Sequence, residues 1–166
     1  MAEDEGRVSK TVTWVRPHRD TAKLSQLSGL KILQAIVEGE LPEPPICALM
    51  NFRFARVEHG SVSFSGWPGG EHYNPIGSVH GGFAATLLDS AMACAIHSTL
   101  DPGIGYTTVE LSVNYLKAIS AETREVRCDG QVIHVGRRVA SAEGRLYAAR
   151  DEKLLAHGKT TAIILS

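Results

Sequence analysis

HGGFAATLLDSAMACAIHSTL, residues 80–100, decides how this chain is read. Asp89 is the one Asp in it, and it holds no Lys, Arg or Glu. Small or apolar residues cover nearly every helical face, which predicts a long helix buried on all sides. A carboxylate in such a helix loses hydration, so it must be paired, held protonated or put to use. Asp89 is therefore the leading candidate for chemistry; the bland alternative is a carboxylate paired to a core His or hydroxyl.

Gly81 and Gly82 stand where this helix begins. A helix N-terminus exposes unpaired backbone N–H groups and the positive end of the helix dipole. Glycine lets a ligand atom come close to that backbone. The pair therefore suits a carbonyl oxygen that gains negative charge in acyl transfer, although glycines also serve plain close packing. Asp89 lies eight residues beyond Gly81, ~12 Å along a helix axis, too far to serve its own helix start. Two copies packed with antiparallel helices would bring each Asp89 towards the other's Gly81, so the arithmetic predicts a symmetric dimer.

Asn74, in the loop ahead of the helix, could donate its amide to a carbonyl or simply make a turn before Pro75. His80 could act as a base, but at this position a structural hydrogen bond is the expectation. His97 is expected to compensate the dipole at the other end. The seven histidines show no metal-ligand spacing, so no metal is expected, and no GxSxG elbow is present.

Upstream, residues 1–19 read as loosely ordered. Residues 21–38 follow helical spacing through Leu24, Leu27, Leu30, Leu33 and Ile36, interrupted at Gly29, and stop at Gly39 and the prolines 42, 44 and 45. Residues 50–57 and 61–67 form an expected hairpin across Glu58-His59-Gly60. A long loop, residues 67–77, leads into the central helix. Downstream, strands are expected at 106–117, 123–135, 138–150 and 153–165, with a turn at Gly136. One buried helix among antiparallel strands implies an α+β fold in which a curved sheet wraps the helix, with an extra N-terminal helix outside.

The chain has 166 residues, 43% hydrophobic and 21% charged, with a net charge of −1. That describes one globular domain with a core of its own. Near-neutral charge argues against nucleic acid as the main partner. The stretch around Asp89 is too rich in Ala, Gly and Ser, and contains too much Asp and His, for a membrane span. The acidic start MAEDEGRVSK shows no signal peptide, and Cys47, Cys94 and Cys128 are odd in number and scattered. The expectation is a cytoplasmic protein with reduced thiols.

The run NPIGSVHGGFAATLLDSAM, residues 74–92, resembles the hotdog-fold acyl-CoA thioesterases, in the phenylacetate-degradation (PaaI-like) branch. The likeness continues through GYTTVELSVNYLKAI, GQVIHVGRRVASAEGRL and LLAHGKTTAIIL. It implies a hotdog domain over residues 46–166, after an N-terminal extension over residues 1–45. It also implies thioester hydrolysis at the interface of a homodimer, often assembled further into a tetramer, with acyl-CoA as substrate and no cofactor. By position it makes Asp89 the general base or nucleophile, Gly81 the donor to the thioester carbonyl, Asn74 its helper and Thr108 the holder of the attacking water. His80 and Gly82 fall beside the substrate, and Arg137 and Arg138 near the CoA phosphates.

One of these assignments conflicts with local pattern. Val109, Leu111, Val113 and Tyr115 mark one strand face, and strict alternation puts Thr107, not Thr108, on it; a bulge would reverse that. Tyr73, Phe83, Met92 and Tyr115 could line an acyl pocket or belong to the core. Two rival readings use the same groove: an acyl-CoA binding protein without turnover, and a hydratase or dehydratase with His80 as its catalytic base.

Overall fold

The computed structural model describes residues 6–16 and 24–165. The expected order at residues 1–5 and 17–23 lies outside the described residues. Residues 6–16 form no helix or strand, and Lys10 is ion-paired to Glu71. Three α-helices have both ends among the described residues, in chain order: α1 (Gly29–Val37), α2 (Pro45–Met50) and α3 (Gly81–His97). Six strands complete the fold: β1 (Phe52–Glu58), β2 (Ser61–Gly66), β3 (Gly105–Tyr115), β4 (Val126–Val135), β5 (Val139–Ala148) and β6 (Lys153–Leu165).

The strands make one antiparallel sheet in the order β1-β2-β4-β5-β6-β3. Register shifts interrupt four of the five pairings, between Phe54 and Arg56, Thr108 and Glu110, Val132 and His134, and Leu146 and Tyr147. Bulges of this kind sharpen twist and bend a sheet, which here curls around α3. The result is the α+β architecture expected, a long helix held by a curved antiparallel sheet.

Gly130, Gly144 and Gly158 are cross-strand neighbours on β4, β5 and β6, and they form the seat of the helix. A Cβ on Gly130 would stand 2.3 Å from the carbonyl of Ala91, and one on Gly144 3.0 Å from Leu88 and Met92. Leu87, Leu88, Ala91, Met92, Ala95 and Ile96 are buried on that side, against Phe64, Val126, Cys128 and Leu146.

The helix is not buried on every side, as its composition suggested. Gly82, Thr86, Asp89, Ser90, Cys94 and His97 form a half-exposed stripe, because the sheet of one chain closes over only part of the helix. At the N-terminal side, Gly29 does not interrupt a helix but begins one. Ser28 caps α1 by accepting from Lys31 N (3.4 Å), and Gly29 packs directly on the backbone of His97. The first strand starts at Phe52, because Pro45 opens the short helix α2 and Asn51 ends it in the left-handed region (φ 54°).

Two histidines pack into this frame, His72 buried and His97 on the half-exposed stripe. His72 accepts from Gly69 N–H through Nδ1 (2.9 Å) and stacks on Phe83, with ring centroids 4.9 Å apart. His97 lies against Tyr106, 5.2 Å between centroids. Burial holds both imidazoles below the usual histidine value, with Glu71 partly opposing this at His72.

Two outcomes follow for stability. Gly130→Ala places a methyl group against helix backbone that cannot move aside, and should cost about 1–3 kcal/mol or more in urea unfolding. The histidines favour their neutral forms in the folded state, so their contribution is complete above the unfolded value of about 6.5. It is lost as pH falls through the lower folded-state values. Unfolding midpoints should therefore drop between pH 7.5 and pH 5, and more shallowly in His72→Asn than in the parent; equal slopes would exclude His72 from the effect.

Candidate active site

Asp89 sits midway along the half-exposed stripe of α3. Thr108 Oγ1 donates to Asp89 Oδ1 at 3.0 Å across the gap to β3. The contact depends on the bulge in β3. Thr108 pairs with Ala162, yet Glu110 pairs with Thr161, so Val109 is the extra residue and the alternation reverses there. Tyr106 and Thr108 point towards the helix before it, Leu111 and Val113 after it. Val109 is turned out, 52% exposed. Unbroken alternation pointed to Thr107; the strand instead delivers Thr108.

Around this pair the surroundings are poor in charge. Burial, followed by Cys94 and Asp89, pushes the Tyr106 phenol well above its ordinary range. Burial likewise pushes the Cys94 thiol up to about 12, with Cys47 and Asp89 adding to it. Cys94 is then a thiol at neutral pH and a poor nucleophile, and Asp89 is the one carboxylate on this stripe.

The start of α3 is built by His80. Its Nδ1 accepts from Gly82 N–H at 2.9 Å, and its carbonyl accepts from Phe83 N–H at 3.0 Å. His80 is thus the helix cap, the structural role weighed for it from sequence. This uses the Gly82 donor expected to face substrate. Among the described residues nothing accepts from Gly81 N–H, so Gly81 is the free donor of the pair. Tyr115 Oη donates to Gly81 O at 3.2 Å and presses its ring on the glycine, where a Cβ would stand 3.0 Å from Tyr115 Cζ.

Asn74 organises the turn before the helix. Its Oδ1 accepts from Ile76 N (3.0 Å) and Ser78 N (3.4 Å), and its Nδ2 donates to Ser78 Oγ at 3.1 Å. One amide hydrogen remains for another partner. Arg137 and Arg138 are exposed in the turn after β4. Ile164 N donates to Arg138 O, which sets this turn level with Tyr106, at the end of the sheet away from the Gly81 of the same chain.

The site residues therefore fall into two groups, separated along one continuous helix. Asp89 and Thr108 form one; Gly81, His80 and Asn74 form the other. Of the aromatic and Met candidates for a pocket, Phe83 and Met92 are fully buried core. Tyr73 accepts from Ala121 N–H through its hydroxyl at 3.0 Å, and Tyr115 alone lines a cavity beside Gly81. Leu116, Ile119 and Leu155 line it too. Sequence pattern did not single them out, since apolar residues after a strand and within one read equally as core.

A sequence model described as the thioesterase superfamily matches residues 76–155. A Caenorhabditis elegans protein named as an esterase is 34% identical over 96 residues, 57% of this chain and 55% of that protein. Acyl-coenzyme A thioesterase 13 of Mus musculus is 29% identical over 91 residues, 55% of this chain and 64% of that protein. The matches thus span little more than half the length of these curated relatives. Among solved structures, a phenylacetic acid degradation-related protein of Ralstonia eutropha JMP134 superposes with a TM-score of 0.71 at 26% identity, over 79% of this chain and 98% of that one. The central helix in its curled sheet and these likenesses agree: the chain has the hotdog fold and is similar to the thioesterase superfamily and to the phenylacetic acid degradation-related structure.

Proposed function

We propose that this chain hydrolyses an acyl-CoA thioester to free acid and CoA thiol, in a site shared by two copies of itself. The observation that carries the reading is the Asp89–Thr108 pair on the open face of an otherwise apolar helix. A structural carboxylate would be expected to sit closed in the core with its partners; this one stands half-exposed on an uncovered stripe. The superfamily match and the thioesterase among its relatives support the bond type.

The helix itself argues for two copies. Gly81 and Asp89 share one rigid helix and stay about 12 Å apart along its axis. β3 pairs with β6 along one edge, and its other edge, eleven residues long, has no partner among the described residues. Such an edge is a template for another strand. Pairing two copies of β3 about a two-fold axis would run the two α3 helices antiparallel and cover both open stripes.

In the mechanism proposed, the thioester carbonyl accepts from Gly81 N–H of one copy, at the positive end of α3, with the spare Asn74 amide hydrogen assisting. Asp89 of the other copy takes a proton from a water held by the Thr108 hydroxyl. The water oxygen bonds to the carbonyl carbon, the oxyanion forms against Gly81, and its collapse breaks the C–S bond. The CoA thiolate leaves and is protonated, and the acid remains. No step calls on a metal or cofactor. His80 spends Nδ1 on capping the helix, which weighs against the hydratase reading that needs it as a base.

Asp89→Asn should keep its thermal stability and lose on the order of 10²-fold or more in turnover, read by thiol release. Thr108→Val should lower kcat much more than Thr107→Val does. Gly81→Pro removes the donor at a helix position that proline favours. Mixed dimers of Asp89→Asn and Gly81→Pro chains rebuild one intact site from two inactive parents. Activity regained on mixing is the expected result, and none regained would rule out the shared site.

A further inference from the structure

A cavity of about 360 Å³ opens beside Gly81, between the start of α3, the end of β3 with the segment after it, and β6. Its walls include Ala84, Leu116, Ile119 and Leu155, and Tyr115 stands at its mouth, held by its bond to Gly81 O. Ile119 and Leu155 are buried, whereas Leu116 is 51% exposed. The charged lining residue, Lys117, is exposed to solvent.

Three backbone donors of the wall are already spent. Val79 N–H is taken by Ile119 O at 2.9 Å, and the N–H groups of Leu116 and Lys117 both go to Leu155 O, at 2.8 and 3.1 Å. The pantetheine arm of CoA carries two amides, and amides without partners are costly to bury. A hydrocarbon or aryl group makes no such demand. The free N–H of Gly81 at the mouth suits the carbonyl that joins the two halves of the substrate.

We infer that this cavity receives the acyl group, carbonyl at Gly81 and CoA directed outwards, and that Leu116, Ile119 and Leu155 limit it to uncharged groups of short to medium length. The inference rests on the thioester reading. It gives the substrate a direction: acyl chain past Tyr115 into the chain that supplies Gly81, sulfur towards solvent and the copy that supplies Asp89. The volume is near the lower end of small-molecule pockets, which run from roughly 300 to 1,000 Å³. Ile119 and Leu155 close the inner end, so a longer chain must displace core side chains.

The test is a chain-length profile on saturated acyl-CoAs from acetyl to palmitoyl, with phenylacetyl-CoA alongside, by thiol release. In the unaltered protein kcat/KM should peak at short to medium chains and fall about tenfold or more towards palmitoyl. Leu116→Trp should move the peak to shorter chains and Ile119→Ala to longer ones. Leu116 is exposed, so its variant tests the idea even if the core change at Ile119 prevents folding. A preference for the longest chains, or a profile unmoved in folded Leu116→Trp, would overturn the inference. Thioether analogues, which cannot be hydrolysed, separate it from the proposed activity. Their thermal upshift should show the same length dependence and the same displacement in Leu116→Trp even if no thioester is cleaved, and an upshift independent of length would refute the cavity's role.

Discussion

The close seat of α3 on the glycine row of β4, β5 and β6 is the constraint on which the rest depends. With Gly130 and Gly144 bare, the backbone at Ala91 and the side chains of Leu88 and Met92 reach the sheet directly. That contact fixes the height and rotation of the helix. Once Leu88, Ala91 and Met92 face the glycines, Asp89 is turned to the open side, level with Thr108. The acid is thus turned outwards by packing on the opposite face, and Thr108 of β3 meets it there.

The same seating divides the site. A straight helix cannot bring its first residue and its ninth together, so Gly81 and Asp89 can cooperate only across copies. The half-exposed stripe and the edge of β3 that has no partner among the described residues lie on that side of the molecule. In the proposed site, two-fold symmetry would supply the missing half twice. The chemistry asked of each group is modest: a backbone donor, a carboxylate, a hydroxyl and an apolar recess.

Much of this was legible in the sequence. The α+β order, the central helix and the four C-terminal strands follow from periodicity, because burial repeats every 3.6 or two residues and leaves a mark in composition. His80 as a cap and Asn74 as a turn former follow from what their side chains do locally. The short helix α2 was not legible, since six residues carry too little periodicity to separate from the strand that follows. Nor was the true start of α1, where Gly29 looked like an interruption. The requirement there is tertiary: a Cβ on Gly29 would run into the carbonyl of His97, 68 residues away along the chain.

Sequence by itself determined that one carboxylate would lie on the central helix, eight residues from a glycine-rich start, and that strands would enclose that helix. It also determined the chemistry on offer, through the residue types at Asn74, Gly81 and Asp89. Only the tertiary structure decided which threonine meets the acid, which helix face stays open, and which apolar residues line a cavity rather than fill the core. The physical reason is the same in each case. A bulge at Val109 is set by the register of β3 on β6, and exposure is set by what lies across the gap. Those are relations between distant segments, and local alternation carries no trace of them.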